Sequence, residues 1–285
     1  MIGPLGPLDG ALLLGAVVSV AAASAAGIAC LGHPAPARVR WLRAATAAGL
    51  VLLGALLAKL GLAHGALPAT NRGEFLLLLA AVLLVSALLF EISLRLTALA
   101  AWVAIFALGL LGLGSALLLA LPPAAAASPA GVLSPDSART AAHIAIMTLA
   151  YVALTLGFLS GGMYLAAERD LKSHRRGWVL RSFPALESLA ALNRRAAGIG
   201  FLLLTIGIVT GYLEARSRMP GPEWRLDAKI LLSTATWAVY GAVLVLHRFA
   251  ALRGRRFALA TAAGFAFVVL TFLVSKFVQG SFHAF

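Results

Sequence analysis

Polar residues in this chain come in short clusters, and between them run apolar stretches of about twenty residues, long enough as helices to cross the roughly 30 Å of a bilayer's hydrocarbon core. Eight such stretches are legible, at residues 12–31, 44–63, 74–94, 96–121, 141–168, 196–212, 228–246 and 257–278. The stretch 122–137, rich in Ala, Pro and Ser, reads as a loop. The longest polar segment is 169–195, and within it 184–193 reads as a short interfacial helix with Leu186, Leu189 and Leu192 as its apolar stripe. The first stretch follows a segment whose sole charge is Asp9, unlike the basic start of a secretory signal, so it is read as a retained helix. In the fifth, Gly157 and Gly161 lie four residues apart on one helix face, a spacing that suits close helix packing.

Composition turns this pattern into a fold class. With 61% hydrophobic residues, 12% charged residues and a mean hydropathy of +0.97, the 285 residues carry too little polar surface for a water-soluble globule. The expected fold is all-α, a polytopic transmembrane helical bundle of about eight helices, forming one integral membrane domain over residues 1–285. The net charge of +13 does not indicate a nucleic-acid partner, because the basic residues form no separate domain and sit between apolar runs. Fifteen of the 23 Lys and Arg fall on one side if the N-terminus is outside: Arg38, Arg40, Arg43, Arg95, Arg169, Lys172, Arg175, Arg176, Arg181, Arg194, Arg195, Arg248, Arg253, Arg255 and Arg256. The positive-inside rule then predicts N-out, C-out. Lys59 and Lys276 lie near outer ends and are expected to snorkel to the interface. Cys30 stands alone, which excludes an intramolecular disulfide and a Cys-based metal cluster.

Candidate chemistry lies in the histidines. This topology puts His64, His143 and His283 on the outer face and His33, His174 and His247 on the inner face. Neutral imidazole is a good axial ligand for haem iron, and two ligands from opposite sides close both axial positions. His143 opens the fifth stretch and His283 lies about five residues beyond the eighth, so both reach the same interface. The residues alone leave two readings open for each, a ligand or a polar side chain at headgroup level. The outer loop 212–228 with Trp224, Asp227, Arg216, Arg218 and Arg225, followed by Lys229, is equally open: a haem platform with propionate partners, or an interfacial anchor. His247 lies about 27 Å of helix from Lys229, near the inner face, and cannot share an iron with His143. The chain has no Walker loop, no H-E-x-x-H and no G-x-S-x-G elbow, and none of its ten carboxylates falls in mid-span. It is read as a non-enzyme.

Several segments together resemble the membrane-integral cytochrome c assembly family that handles haem. They are the Gly200–Ile208 helix, Trp224-x-x-Asp227-x-Lys229, Thr236-Trp237-x-x-Tyr240, Arg253-Gly254-Arg255-Arg256 and Ser275-Lys276; the segment from Pro68 through Thr70, Asn71 and Gly73 to Glu74 resembles the family's loop after its second helix. The resemblance is strongest to its HemX-like branch, because the loop has Trp224 with Leu226 where the haem-attaching members carry a second tryptophan. It implies axial haem ligation by His143 and His283, a haem platform including Trp224 and Asp227, and His247 and His64 as further candidate haem residues. It also implies a multi-pass protein of the bacterial inner (plasma) membrane acting in cytochrome c biogenesis, with the lipid bilayer, other assembly components or apocytochrome c as partners. Two other roles stay open: a non-catalytic regulator of tetrapyrrole synthesis that meets a cytosolic haem-synthesis enzyme through the basic loop 169–195, and a small-molecule permease without haem.

The charge asymmetry generates a test of sidedness. In a Cys30→Ala background, Arg175→Cys is expected to react with a membrane-impermeant thiol reagent only after cell disruption, and Gln279→Cys in intact cells. Labelling of Arg175→Cys in intact cells reverses the topology.

Overall fold

The computed structural model describes residues 6–32, 35–120, 135–173, 182–218, 228–249 and 252–274. Its described elements are all helical: α1 (Pro7–Gly32), α2 (Pro36–His64), α3 (Arg72–Leu94), α4 (Thr97–Ala120), α5 (Pro135–Lys172), α6 (Leu186–Arg218), α7 (Ala228–Arg248) and α8 (Arg255–Val274). Seven helices among the described residues, α1 to α7, are long and apolar enough to cross a membrane. The chain is therefore an all-α, multi-pass membrane protein. It divides into two compact units, one built on α1–α4 and one on α5 from Ala142 onward with α6–α8.

Helix ends follow local chemistry. Pro36 opens α2 where its missing N–H costs nothing, and Gly65 closes that helix in the left-handed conformation at φ 62°. Asn71 caps α3 by accepting from the Glu74 N–H, while the Glu74 carboxylate reaches back to Thr70 N (2.8 Å), Thr70 Oγ1 (2.8 Å) and Asn71 Nδ2 (2.9 Å). This is a capping box, and it explains why a carboxylate can be 3% exposed at the head of a membrane helix.

One expectation is corrected. Residues 184–193 do not form a separate interfacial helix: α6 runs without interruption from Leu186 to Arg218. No proline or glycine separates the two predicted pieces, and the alanines at 190, 191, 196 and 197 favour propagation. Asn193, taken for a polar end, is 1% exposed, because its amide donates to Thr261 Oγ1 at 3.2 Å. Lys59 lies near the end of α2 with its side chain partly exposed. Its ammonium donates to Asp9 Oδ1 at 2.5 Å, tying α2 to the start of α1.

Within the first unit the helices cross on small residues. A β-carbon on Gly27 would stand 2.7 Å from Ala101 Cβ, one on Gly49 2.6 Å from Val20 Cγ2, and one on Gly73 2.9 Å from the Gly114 carbonyl oxygen. Such contacts let backbones approach closely where lipid offers no hydrophobic drive for association. The polar contacts sit at the ends: Arg43 donates to Glu91 Oε1 at 2.8 Å between α2 and α3, opposite the end that holds the Lys59–Asp9 pair.

The second unit has a regular seam. Gly211 faces His143, Gly207 faces Met147, Gly200 faces Leu154 and Gly157 faces Ala197. Residue numbers rise on α5 as they fall on α6 in equal steps, so the two helices run antiparallel with no register slip. Gly200, Gly207 and Gly211 recur at spacings of seven and four, the geometry of left-handed packing. On α5, Gly157 and Gly161 face Asn193 of α6, which is the packing role their spacing predicts. Phe158 stacks on Phe265 of α8 with ring centroids 4.6 Å apart.

The backbone-to-backbone crossing at Gly73 is the least forgiving of these contacts. Gly73→Ala is expected to force α3 and α4 apart and to lower stability by on the order of 1–3 kcal/mol. Its unfolding midpoint in mild detergent should fall, while Gly109→Ala, at a glycine with nothing within 4 Å of a new β-carbon, should leave it unchanged.

Candidate functional site

Among the described residues, two histidines lie in the second unit, toward its opposite ends. His143, half-buried in the third turn of α5, lies across Gly211 in the C-terminal part of α6, with its Nδ1 3.1 Å from Thr210 Oγ1. The Thr210 hydroxyl in turn donates to the Gly207 carbonyl oxygen at 2.9 Å. His247, at the end of α7, lies in a cavity lined by Tyr164, Asn193, Arg194, Gly254 and Phe257. From Gly211 to Asn193 is eighteen residues of continuous α6, about 27 Å, so the two imidazoles cannot meet at one iron.

His247 is held firmly. Its Nδ1 lies 2.6 Å from the Leu252 carbonyl oxygen, and its ring tilts against Phe257 with centroids 4.7 Å apart. A carbonyl oxygen can only accept, so Nδ1 carries the proton and the lone pair falls on Nε2. The turn that supplies this carbonyl depends on Gly254, at φ +49°, where a β-carbon would also stand 2.9 Å from the Tyr164 hydroxyl. Glycine is needed there on both counts. The Arg253-Gly254-Arg255-Arg256 segment thereby has a structural role: it bends the chain from α7 into α8 under His247.

His64 belongs to the first unit and ends α2. Its Nδ1 is buried 3.9 Å from Glu74 Oε1, beyond hydrogen-bond distance, and has no hydrogen-bond partner among the described residues. The carboxylate is committed to the α3 capping box, so it faces the imidazole without closing on it. His283, Trp224 and Asp227 lie outside the described residues, as do His33 and His174.

Polar contacts along α6 and α7 were not legible in the sequence as a set. Tyr212 and Thr234 share a hydrogen bond of 2.5 Å, and Trp237 Nε1 donates to Thr205 Oγ1 at 2.9 Å while its ring stacks on Phe201 at 5.7 Å. Tyr240 is 1% exposed; its hydroxyl donates to the Thr261 carbonyl at 3.2 Å, and its ring lies on Gly264 of α8. The Thr236-Trp237-x-x-Tyr240 motif is thus an interface, with Trp237 turned to α6 and Tyr240 to α8. A signal was available: hydroxyl and aromatic residues at helical spacing in an otherwise aliphatic span.

Comparison with known proteins adds a second line. The sequence pattern of the family described as "Cytochrome C assembly protein" matches residues 69–283, from the α3 capping box through the last helix of the second unit. A "Cytochrome c biogenesis protein CcsA" of Guillardia theta is 30% identical over 158 residues, covering 50% of this chain and 52% of that protein. The protein so named from Chlamydomonas reinhardtii is 28% identical over 143 residues, covering 50% of this chain and 39% of its own length. That of Gloeobacter violaceus is 34% identical over 109 residues, covering 38% of this chain and 32% of its own length. The chain spans about half the length or less of these relatives.

The capping box at the start of the matched region is open to test. Asn71→Ala removes the acceptor for the Glu74 N–H and is expected to cost about 1 kcal/mol, and Asn71→Ser should restore most of it. Glu74→Ala should cost more, because it leaves Thr70 and Asn71 donors unsatisfied in a buried setting. Unfolding midpoints of the three variants in detergent check the order.

Proposed function

Because this chain belongs to the cytochrome c assembly protein family, we propose that it handles haem at one face of a bacterial plasma membrane in cytochrome c biogenesis. Haem is cargo in this reading, held and passed on, and the chain acts without catalysing a reaction of its own. We read His143 and His283 as the axial ligands, with the N-out, C-out orientation placing them outside. Trp224 and Asp227 belong to the loop above them, where apocytochrome c or another assembly component would approach. The HemX-like assignment, based on the missing second tryptophan of that loop, is part of the same proposal.

The observation that supports this reading best is the chemistry of His143. A ligand to iron must offer a lone pair from a neutral ring whose other nitrogen is hydrogen-bonded. The Nδ1 contact to Thr210 supplies that second condition. His143 also stands in the first third of α5, toward one membrane face rather than at the middle of that helix. The residues present therefore fit an axial imidazole. When bound there, haem supplies the iron that the imidazole closes axially. His247 has the same local arrangement at the opposite end, and it is read as a separate position.

Purified in detergent and reduced, the protein is expected to show a sharp Soret band with split α and β bands. His143→Ala should give a five-coordinate, high-spin iron that added imidazole restores, and His143→Ala/His283→Ala should lose haem. A double variant with the haem content and spectrum of the unmodified chain refutes the assignment.

A further inference from the structure

We propose that Thr210 and Gly211 form a seat that holds the His143 imidazole in one tautomer and one orientation, and so act as positioning residues for the haem ligand. The inference rests on the reading of His143 given above and extends it to α6. Its first support is the direction of two hydrogen bonds. A threonine hydroxyl has one proton, and that of Thr210 is directed to the Gly207 carbonyl oxygen at 2.9 Å. Toward His143 Nδ1, 3.1 Å away, the same oxygen can then only accept. Nδ1 bears the proton, and the lone pair falls on Nε2.

The second support is steric. A β-carbon on Gly211 would stand 2.9 Å from His143 Cε1 and 3.6 Å from each ring nitrogen. The imidazole therefore lies on bare backbone, and any larger residue at 211 would lift it. The third is register. One turn further along, Gly207 receives Met147, and Gly200 receives Leu154, so the height of the ring on α6 is set by packing beneath it. Seat, tautomer and height are fixed by three neighbouring features of one helix. The orienting acceptor is moreover a neutral hydroxyl, which fixes the tautomer without adding charge. A carbonyl at 2.6 Å does the same task for His247 at the other end of the unit, and the longer contact to a hydroxyl makes His143 the weaker electron donor of the two, a property suited to a ligand that must let go.

Two measurements test this, and the first does not involve haem. In the unmodified protein, ¹⁵N shifts of selectively labelled histidine should show His143 as the Nδ1–H tautomer, and Thr210→Val should turn it into a mixture that Thr210→Ser converts back. A dominant Nε2–H form in the unmodified chain overturns the proposal. The second is titration of the detergent-purified protein with ferric haem. Thr210→Val and Gly211→Ala are each expected to bind about 10-fold more weakly with an altered reduced spectrum, and Thr210→Ser to match the unmodified chain. If His143→Ala changes affinity and spectrum while Thr210→Val and Gly211→Ala change neither, the seat is refuted and the ligand assignment stands. If His143→Ala itself changes nothing, the ligand assignment fails first. Thr210→Ser is the conservative control for folding, since it keeps the hydroxyl and its bond to Gly207.

Discussion

Helices in hydrocarbon gain little by covering apolar surface from one another, because lipid tails would cover it equally well. They hold together by how closely their backbones approach and by the few polar contacts that approach permits. This constraint governs both units of the chain. Gly27, Gly49, Gly73 and Gly114 create the crossings of the first, and Gly157, Gly161, Gly200, Gly207 and Gly211 those between α5 and α6. The 28 glycines of the sequence are therefore more than permissive filler. Those named here stand where a β-carbon would meet a neighbouring helix.

The same constraint decides where charge can sit. The ion pairs Lys59–Asp9 and Arg43–Glu91 lie at opposite ends of the first unit, and the Glu74 carboxylate at the head of α3 is enclosed by three donors of its own turn. Between the ends, hydroxyl groups bond back into their own helices, as Thr46, Thr155, Ser160 and Thr236 do with the carbonyl four residues earlier. A polar group that finds its partner within its own helix leaves the packing surface undisturbed. Where a hydroxyl does reach outward, as Thr205 does to Trp237 and Thr210 to His143, it marks an inter-helix contact.

Much of this was legible from the sequence. The apolar runs located a helix for every described element, although α2 begins at Pro36 and α6 at Leu186, well before the runs that announced them, and the spacing of Gly157 and Gly161 indicated packing. The distance along the chain also separated His247 from His143. What escaped had physical reasons. The continuity of α6 through Asn193 was hidden because a buried amide looks like a polar boundary until its partner, Thr261, is brought in from another helix. The Lys59–Asp9 pair joins residues fifty positions apart, which no local pattern reveals. The partner of His143 was missed because a threonine in a transmembrane span ordinarily bonds to its own backbone, and Thr210 does that as well. The capping role of Asn71 and Glu74 was present in the spacing, but it was read as part of a family likeness instead of as a helix start.

The regular notches along α6 have a mechanical meaning. A smooth helix could slide along its neighbour by any amount, but side chains seated in spaced hollows behave like a bolt in detents. Met147 and Leu154 would have to leave their hollows together before α5 could shift, and the next matching position lies a whole turn away, about 5 Å. Small axial drift is thereby suppressed, and an imidazole carried on α5 keeps a constant depth along α6.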